Sequence, residues 1–424
     1  MSRSRKEIWL AVIVLGVGLI PAGLLGLWTY MSITAVQLHP NPEETPSLTD
    51  SAPAPKWAKA VEEGRQIVRA SLTEKNLPGL SVAVGVGGEI VWAEGFGSAD
   101  LEKHVPVAPE TSFRIGTAST PLTSAAVGVL VEEGKLNLDE PIQTYVPAFV
   151  DTYSPPSGRT FSPVTLRHLM AHTAGVPNDG GDEGPLFSRE CKRPVDALQY
   201  FRGYERELRF EPGTEYRYSS YGWILVSAAV ETVSGEPFLT FMQKRIFEPL
   251  GMAGTTANSA TPHPKQATSY FPRFAADPVY GLHLTRPVDY SCYAGASVFV
   301  STPSDLVRFG MAINKGTLLK PATVQLLQTS QRLPSGEETG YGLGWDLESI
   351  AIAGGEARWA GHDGTLFGGM AVSFITVPEH DVVVALTSNI SYADTEAAAV
   401  RIAQAFVEGA TRSLQITAPT IGRS

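Results

Sequence analysis

Three short segments of the chain carry side chains suited to nucleophilic chemistry. They are Phe113–Thr120 (FRIGTAST), Tyr218–Ser220 (YSS) and His362–Thr365 (HDGT). A hydroxyl group can attack an ester or amide carbonyl when a phenol or an imidazole nearby accepts its proton. The chain therefore holds the groups for such a reaction in separate segments, which the fold would have to bring together.

These segments, with three others, resemble the serine β-lactamase-like family. The others are Pro78–Val84 (PGLSVAV), Val164–Gly175 (VTLRHLMAHTAG) and Ala294–Thr302 (AGASVFVST). That family holds class C β-lactamases, penicillin-binding D-Ala-D-Ala carboxypeptidases and related esterases, and the resemblance runs from about Trp57 to Gly409 with the motifs in order. It implies an α/β two-lobe β-lactamase/transpeptidase-like fold, in which an antiparallel sheet is flanked by helices and joined by a mostly helical lobe.

The resemblance assigns a role to each segment. In the family, Ser-x-x-Lys at a helix start supplies a nucleophile and an amine one turn away, a Tyr-x-Asn motif shares the proton transfer, and a Lys or His before x-Gly lines the opposite wall. The matching catalytic positions are Thr117, Thr120, Tyr218 and His362. The matching substrate-binding positions are Ser220, Asp363, Gly364 and Thr365, of which the last would offer its backbone N–H to an oxyanion.

The nucleophile motif departs from the family pattern at both of its positions. Thr117 stands in place of the serine, and its extra methyl group crowds the line of attack. Thr120 stands in place of the lysine, and a hydroxyl group neither accepts a proton readily at neutral pH nor carries positive charge. Ser119 and Ser124 do not restore the motif, because neither has a lysine three residues later. Impaired catalysis is therefore expected.

The other motifs are better kept. Ser220 replaces the asparagine of the tyrosine motif and can still donate and accept hydrogen bonds. Asp363 stands where family members use a threonine to hold a substrate carboxylate, so anionic β-lactams and D-Ala-D-Ala ends are expected to be poor substrates. His168 and His172 are interpreted as structural, and a zinc pair at their four-residue spacing lacks the glutamate of the H-E-x-x-H motif.

The periodicity of apolar residues predicts the strands and helices that must position these residues. Strand-like runs predict one hairpin over 80–86 and 89–96 and another over 369–377 and 381–386. Helical patterns are predicted at 121–133, 221–234, 304–314 and 393–409, the third opened by Ser304 as its cap. Strands at both ends and helices between them predict an α/β lobe built from both chain termini, with a helical lobe inserted.

An uncharged apolar run, Ile8–Met31, predicts an N-terminal transmembrane helix. Basic residues precede it at Arg3, Arg5 and Lys6, which places the N-terminus in the cytoplasm and the large domain outside. The alternative is a signal peptide cleaved after Ala35, although the run is longer than such peptides use. The predicted organisation is a basic N-terminus (1–7), an anchor (8–31), a Pro-rich linker (32–55), the β-lactamase-like domain (56–412) and a tail (413–424).

Composition narrows the partners. The chain has 424 residues and a net charge of −10, which gives no basic surface for nucleic acid. Cys191 and Cys292 lack metal-site spacing, so no zinc site is predicted; one disulfide and two unpaired thiols remain alternatives. No cofactor is predicted, and the expected ligand is a small ester, amide or peptide in the cleft.

Three functions compete at this point. The first is an impaired or inactive member that keeps the cleft as a binding surface, which the missing lysine favours. The second is a divergent hydrolase in which Thr117 attacks with Tyr218 or His362 as the base. The third, a purely structural membrane-tethered protein, leaves the retained tyrosine and histidine without a role.

Overall fold

The computed structural model describes residues 22–156, 158–178, 185–186, 189–258, 262–286, 288–352, 354–366 and 368–417, with the backbone alone for residues 366 and 411–417. The predicted basic N-terminus and most of the predicted anchor lie outside these residues, as do the last seven residues of the tail.

One antiparallel eight-stranded sheet forms the centre of the structure. Its strands come from the two ends of the domain: β1 (Ser47–Thr49), β2 (Gly79–Val86), β3 (Glu89–Asp100), β4 (Val105–Pro106), β10 (Asp346–Ile352), β11 (Gly355–Leu366), β12 (Met370–Val377) and β13 (Val382–Ser388). The order is β1-β3-β2-β13-β12-β11-β10, and β4 pairs with β3. Both predicted hairpins, β2–β3 and β12–β13, are therefore confirmed.

Smaller strands belong to two further sheets. A three-stranded sheet is formed by β5 (Phe113–Arg114), β6 (Thr256–Ala257) and β9 (Phe299–Ser301), and a separate hairpin by β7 (Tyr270–Phe274) and β8 (Asp277–Leu284).

The described helices are ten α-helices, several short 3₁₀ turns and one π-helical segment. The α-helices are α1 (Ala22–Ile33), α2 (Ala58–Glu74), α3 (Ser119–Glu132), α4 (Ala148–Thr152), α5 (Leu166–Met170), α6 (Ser220–Ser234), α7 (Phe238–Met242), α8 (Pro303–Asn314), α9 (Pro321–Leu327) and α10 (Thr395–Thr417). The π-helical segment, Gln243–Phe247, follows α7.

The central strands are buried on both faces, which explains their nearly continuous apolar sequences. Side chains alternate between the two faces of a strand, so Ala83 and Val383 pack in the core that contains α8. Val82 and Val384 pack in the other core, with α2 and α10. The α/β lobe therefore has two hydrophobic cores, one on each side of the sheet.

The helical lobe is inserted between the two halves of the sheet, as predicted. Within it α3 and α6 are buried nearly all round. The Ser219 side chain caps α6 by accepting a hydrogen bond from the Gly222 N–H, and Gly235 ends the helix in the left-handed conformation. The other predicted helices match α8 and α10, with two differences. Thr302 and not Ser304 caps α8, and α10 continues to Thr417, into the predicted tail.

The segment assigned to the linker, 32–55, packs along the domain. The Asn76 side chain forms two hydrogen bonds with the backbone of this segment: it donates to the Val36 carbonyl oxygen and accepts from the Leu38 N–H. His39 is buried beside Pro78. Within the same segment β1 extends the sheet by pairing with β3. Polar composition indicated a tether, but these long-range contacts order it.

No single helix in the described part of the chain meets the length and hydropathy of a membrane span. The described part of the apolar helix α1, Ala22–Ile33, is shorter than a span requires. A bent pair of helices, Ser220–Ser234 with Phe238–Phe247, meets the criteria only when the two are taken together. Most residues of the first helix of that pair are buried in the helical lobe.

The two cysteines of the chain, Cys191 and Cys292, are joined in a disulfide with a Cα–Cα distance of 4.8 Å, which resolves the alternative left open by their spacing. The bond connects positions 101 residues apart, and both residues are buried. A long closed loop restricts the unfolded chain strongly.

We expect Cys191→Ser combined with Cys292→Ser to lower the free energy of unfolding by about 3 kcal/mol, because the unfolded chain regains the entropy of this loop. Denaturant unfolding of the oxidised parent, the reduced parent and the double variant measures the difference. Identical midpoints for the oxidised and reduced parent would contradict the expectation.

Candidate active site

The two threonines of the nucleophile motif lie where a 3₁₀ turn, Gly116–Ala118, leads into α3. Their hydroxyl groups are both engaged by the backbone. The Thr117 hydroxyl donates to the Asp363 carbonyl oxygen at 2.9 Å, and the Thr120 hydroxyl donates to the Thr117 carbonyl oxygen at 3.0 Å. Thr117 is half-buried and Thr120 is fully buried. In this arrangement each hydroxyl group donates to a backbone carbonyl oxygen.

The facing wall is the open edge of β11. Strand β10 pairs with β11 only as far as Gly361, so the backbone groups beyond that residue have no strand partner on this side. The Asp363 carbonyl points from this edge toward the turn that carries Thr117. Since alternate residues of a strand share an edge, the Thr365 N–H faces the same side, where an oxyanion donor is expected. Gly364 lies so close to the turn that a Cβ there would be 2.4 Å from the Ile115 carbonyl oxygen.

His362 is held through both of its ring nitrogens. Its Nδ1 lies 2.6 Å from the Asp363 carbonyl oxygen, which can only accept, so we assign the proton to Nδ1. Its Nε2 then accepts a hydrogen bond from the Tyr341 hydroxyl, 3.1 Å away. The Asp346 carboxylate lies 3.7 Å from Nδ1. The acceptor nitrogen of the imidazole therefore serves Tyr341 and not Thr117.

Tyr218 lies in an aromatic cluster with His172. Their ring centroids are 4.2 Å apart, and the His172 ring is 4.7 Å from that of Tyr341. His172 has a positive φ of 58°, which is uncommon for a residue with a side chain, and its Nδ1 accepts a hydrogen bond from the Ser219 N–H at 3.0 Å. This bond fixes the turn that carries Tyr218, as the structural interpretation of this histidine expected.

The pKa shifts of His172, Tyr341 and Tyr216 all favour the uncharged forms of these side chains. Burial and the nearby His362 hold the pKa of His172 well below its usual range. Burial raises the pKa of Tyr341 well above its usual value, and burial together with Asp346 raises that of Tyr216 to about 12. Among the described residues, no lysine or arginine bonds to Thr117 or His362. The positive charge that would promote ionisation of a hydroxyl is therefore missing from this part of the site.

Asp363 lies on the face of the sheet opposite to His362, which corrects the expectation that its carboxylate meets the ligand. It pairs across the strands with Ser373, whose hydroxyl bonds to Thr395 at the start of α10. Burial and the neighbouring Glu396 raise the pKa of Asp363 to about 8. The side chain thus faces the core beneath the cleft and not the ligand side, and its raised pKa favours the uncharged form.

The remaining predicted positions have local roles. Ser220 begins α6, and its N–H donates to the Asn178 side chain at 2.9 Å. The Ser124 hydroxyl donates to the Leu343 carbonyl, and the Ser119 hydroxyl accepts from the Phe299 N–H. His168 caps α5 through its contact with Thr165. Within the described ranges no three His, Cys, Asp or Glu side chains converge as a metal site requires.

Tyr341 belongs to the site, although none of the sequence motifs includes it. It lies 21 residues before its partner His362, is 1% exposed and also lies beside the Thr120 hydroxyl. The only signal in the sequence is its place in the run Gly340–Trp345 (GYGLGW), where alternating glycines allow close packing. At Gly344, for example, a Cβ would come 2.5 Å from the Trp223 ring.

A cavity of about 760 Å³ lies elsewhere, between α9 and strands β10 and β11. Its walls include Gln328, Leu347 and Trp359, but none of the predicted catalytic positions. This cavity therefore does not mark the motif residues; the strand edge and the helix start do.

A helix-start hydroxyl against an open strand edge, a facing tyrosine and a two-lobe fold define a protein of the β-lactamase and penicillin-binding class. The chain belongs to the Beta-lactamase family, whose model matches residues 65–407. It is similar to the serine beta-lactamase-like protein LACTB, mitochondrial, of Homo sapiens, with 27% identity over 82% of this chain and 80% of that protein.

Solved structures share the fold. The D-amino acid amidase of Ochrobactrum anthropi superposes with a TM-score of 0.66 at 24% identity, covering 84% of this chain and 99% of the amidase. The octameric penicillin-binding protein homologue of Pyrococcus abyssi superposes with a TM-score of 0.65 at 24% identity, covering 84% of this chain and 77% of the homologue. At this level of identity the likeness concerns the fold alone.

We expect Asp363→Asn to stabilise the protein above pH 7 by about 2 kcal/mol. The folded state binds the Asp363 proton more tightly than the unfolded chain, so parent stability falls as pH rises from the ordinary carboxyl pKa toward about 8. Asparagine keeps the neutral shape and removes this loss. Unfolding measured at pH 5 and pH 8 should give a gain that is larger at pH 8.

Asp50→Asn provides the control, because it makes the same substitution at an exposed position. An Asp363→Asn variant whose stability follows the parent at every pH would contradict the buried, protonated carboxyl.

Proposed function

We propose that this chain is a membrane-anchored, extracytoplasmic member of its family in which acyl-transfer catalysis is impaired or lost. The cleft would remain as a binding site for an ester, amide or peptide ligand. The observation that carries the proposal is the hydrogen bonding of the two threonines: Thr117 donates to the Asp363 carbonyl, and Thr120 donates to Thr117.

Chemistry at Thr117 would need a proton acceptor and a positive charge close to its hydroxyl. The nearest imidazole, His362, presents a protonated Nδ1 to the same carbonyl that Thr117 uses and gives its acceptor nitrogen to Tyr341. The phenol of Tyr341 is disfavoured as a base because burial raises its pKa. These observations favour impaired catalysis over the divergent hydrolase.

The binding role is supported by what the cleft keeps. The edge of β11 beyond Gly361 offers backbone donors and acceptors to an extended ligand, in the manner of strand addition. Tyr218 and His362 remain at its sides, with ring centroids 6.3 Å apart. A neutral ester, amide or peptide suits this surface better than an anion, since no cation among the described residues bonds to Thr117 or His362.

The proposed location rests on three features. The chain begins with basic residues followed by an uncharged apolar run, Ile8–Met31, the end of which forms α1. The disulfide suits an oxidising compartment. The name of the human relative places that protein in mitochondria, and for this chain we propose a single-pass anchor with the domain on the extracytoplasmic side.

We expect the parent to show no labelling at Thr117 by a fluorophosphonate probe and no hydrolysis of a chromogenic cephalosporin. Thr117→Ser with Thr120→Lys should restore labelling and raise hydrolysis of a small activated ester by about 100-fold. The new amine would lie one helical turn from the new hydroxyl and beside Tyr341. Mass spectrometry of the peptide that contains residue 117 reports the label.

Thr117→Ser with Thr120→Met is the matched control, because methionine approximates the lysine chain without its charge. It should recover much less, since nucleophile and base act as a unit. Labelling of the parent at Thr117 would favour the divergent hydrolase. A folded double variant without labelling would mean that the cleft has lost more than two side chains.

We expect the full chain to stay in the membrane fraction after alkaline carbonate extraction. The domain should be cleaved by protease added on the extracytoplasmic side, because the basic N-terminus remains in the cytoplasm. Release of the domain by carbonate, or its protection on the cytoplasmic side, would contradict the anchor or its orientation.

A further inference from the structure

The hairpin β7–β8 is fastened to the apolar helix α1 by side-chain hydrogen bonds. The Trp28 indole N–H donates to the Tyr280 hydroxyl at 3.1 Å. The Arg273 guanidinium donates to the Met31 carbonyl oxygen at 3.0 Å and to the Thr34 hydroxyl at 2.7 Å. These residues are about 240 to 250 positions apart in the chain, so the contact belongs to the tertiary fold.

The Arg273 contact provides a hydrogen-bond donor for a carbonyl group at the end of α1. The last four carbonyl groups of a helix lack partners within the helix, and they are costly to leave unpaired near hydrocarbon. Met31 lies in the last turn of α1, and the guanidinium of Arg273 bonds its carbonyl. Its positive charge also interacts favourably with the negative end of the helix dipole.

The height of the hairpin along α1 follows from the same contacts. Trp28 lies five residues before the end of the helix at Ile33, which corresponds to about 7.5 Å along its axis. Trp28 belongs to the uncharged run that begins at Ile8. Tyr280 therefore lies level with the end of this run, where Trp and Tyr rings favour the boundary between headgroups and hydrocarbon.

Both the hairpin and the helix have exposed apolar side chains. On the hairpin, Val279 is 40% exposed and Leu284 is 51% exposed, and Phe274 packs against the Tyr280 ring at 5.5 Å. On α1 the exposed apolar residues are Leu24, Leu25, Leu27, Trp28 and Tyr30. Exposed apolar side chains are stabilised when a lipid bilayer covers them.

The chain after α1 leaves little freedom between helix and domain. Asn76 bonds the backbone on both sides of Gln37, at the Val36 carbonyl and the Leu38 N–H, and the strand β1 then joins the sheet. A flexible tether would let the domain rotate above the bilayer, whereas these contacts couple its orientation to that of α1.

We propose that the hairpin β7–β8 is a second membrane contact, which lies at the headgroup level beside α1 and fixes the orientation of the domain on the bilayer. The inference rests on the proposed membrane anchor. The occupant of the exposed apolar surface is the lipid bilayer, because the helix to which the hairpin is fastened continues the uncharged run of the sequence.

The test places an environment-sensitive fluorophore on the full chain in phosphatidylcholine–phosphatidylglycerol vesicles. Three single variants carry it: Val279→Cys on the hairpin, Leu25→Cys on the helix, and Val150→Cys in α4, where the side chain is 60% exposed. The native cysteines are in a disulfide and do not react. Lipids with nitroxide in the headgroup or acyl region then report the depth of each label.

We expect the emission of the label at residue 279 to shift to shorter wavelength, and headgroup nitroxides to quench most of it. The label at residue 25 should be quenched by acyl nitroxides and the one at residue 150 by neither. Quenching at 25 without quenching at 279 would overturn the hairpin contact and leave the anchor standing. No quenching at 25 would instead refute the anchor. A blue shift at 279 without quenching would mean that another protein surface covers the hairpin, which also overturns the proposal.

The fastening is tested by Arg273→Ala, with His283→Ala as the matched control, because the exposed His283 ring packs against Phe271 of the same hairpin. Loss of the guanidinium should abolish quenching at 279 while quenching at 25 persists, and the control should change neither. Unaltered quenching at 279 in a folded Arg273→Ala variant would overturn the role of this arginine in fixing the orientation.

Discussion

The site depends on a single carbonyl oxygen at the point where β11 loses its neighbour. Because β10 pairs with β11 only to Gly361, the carbonyl of Asp363 is open toward the helical lobe. It accepts hydrogen bonds from the Thr117 hydroxyl and, by the assigned tautomer, from Nδ1 of His362. A carbonyl oxygen has two lone pairs, so this one is saturated. One acceptor thus joins the start of α3 to the strand and fixes the imidazole.

Within the described residues, this arrangement has no lysine or arginine bonded to Thr117 or His362. In a Ser-x-x-Lys site the amine supplies charge to nearby hydroxyl groups, whereas here Thr120 uses its hydroxyl on the backbone of Thr117. His362 is directed toward Tyr341, and burial keeps the pKa of that phenol high. The hydroxyl groups of both threonines and both ring nitrogens of His362 therefore have hydrogen-bond partners without a lysine in the motif.

The sheet separates this cleft from a second polar cluster beneath it. Asp363 contributes its carbonyl to the cleft, while its side chain joins Ser373 and Glu396 on the α10 face. The backbone of Asp363 therefore belongs to the cleft, and its side chain belongs to the cluster beside α10. Its backbone position follows from the strand edge, and its carboxyl group is kept mainly protonated by burial and by an acidic neighbour.

The sequence by itself determined the features that depend on neighbouring positions. Alternating and helical apolar patterns predicted the β2–β3 hairpin and helices such as α3, because side-chain periodicity reflects which face is buried. The order of motifs identified the family, and the sequence places Thr117 and Thr120 at the positions where the family pattern has serine and lysine.

Only the tertiary structure decided the features that depend on distant positions. The direction of the Asp363 side chain required knowing which face of β11 meets α10, and the role of Tyr341 required its approach to His362. The disulfide and the docking of the presumed linker likewise join residues far apart in the chain. Local propensity carries no information about such contacts, because their free energy arises only when both partners have been brought together by the fold.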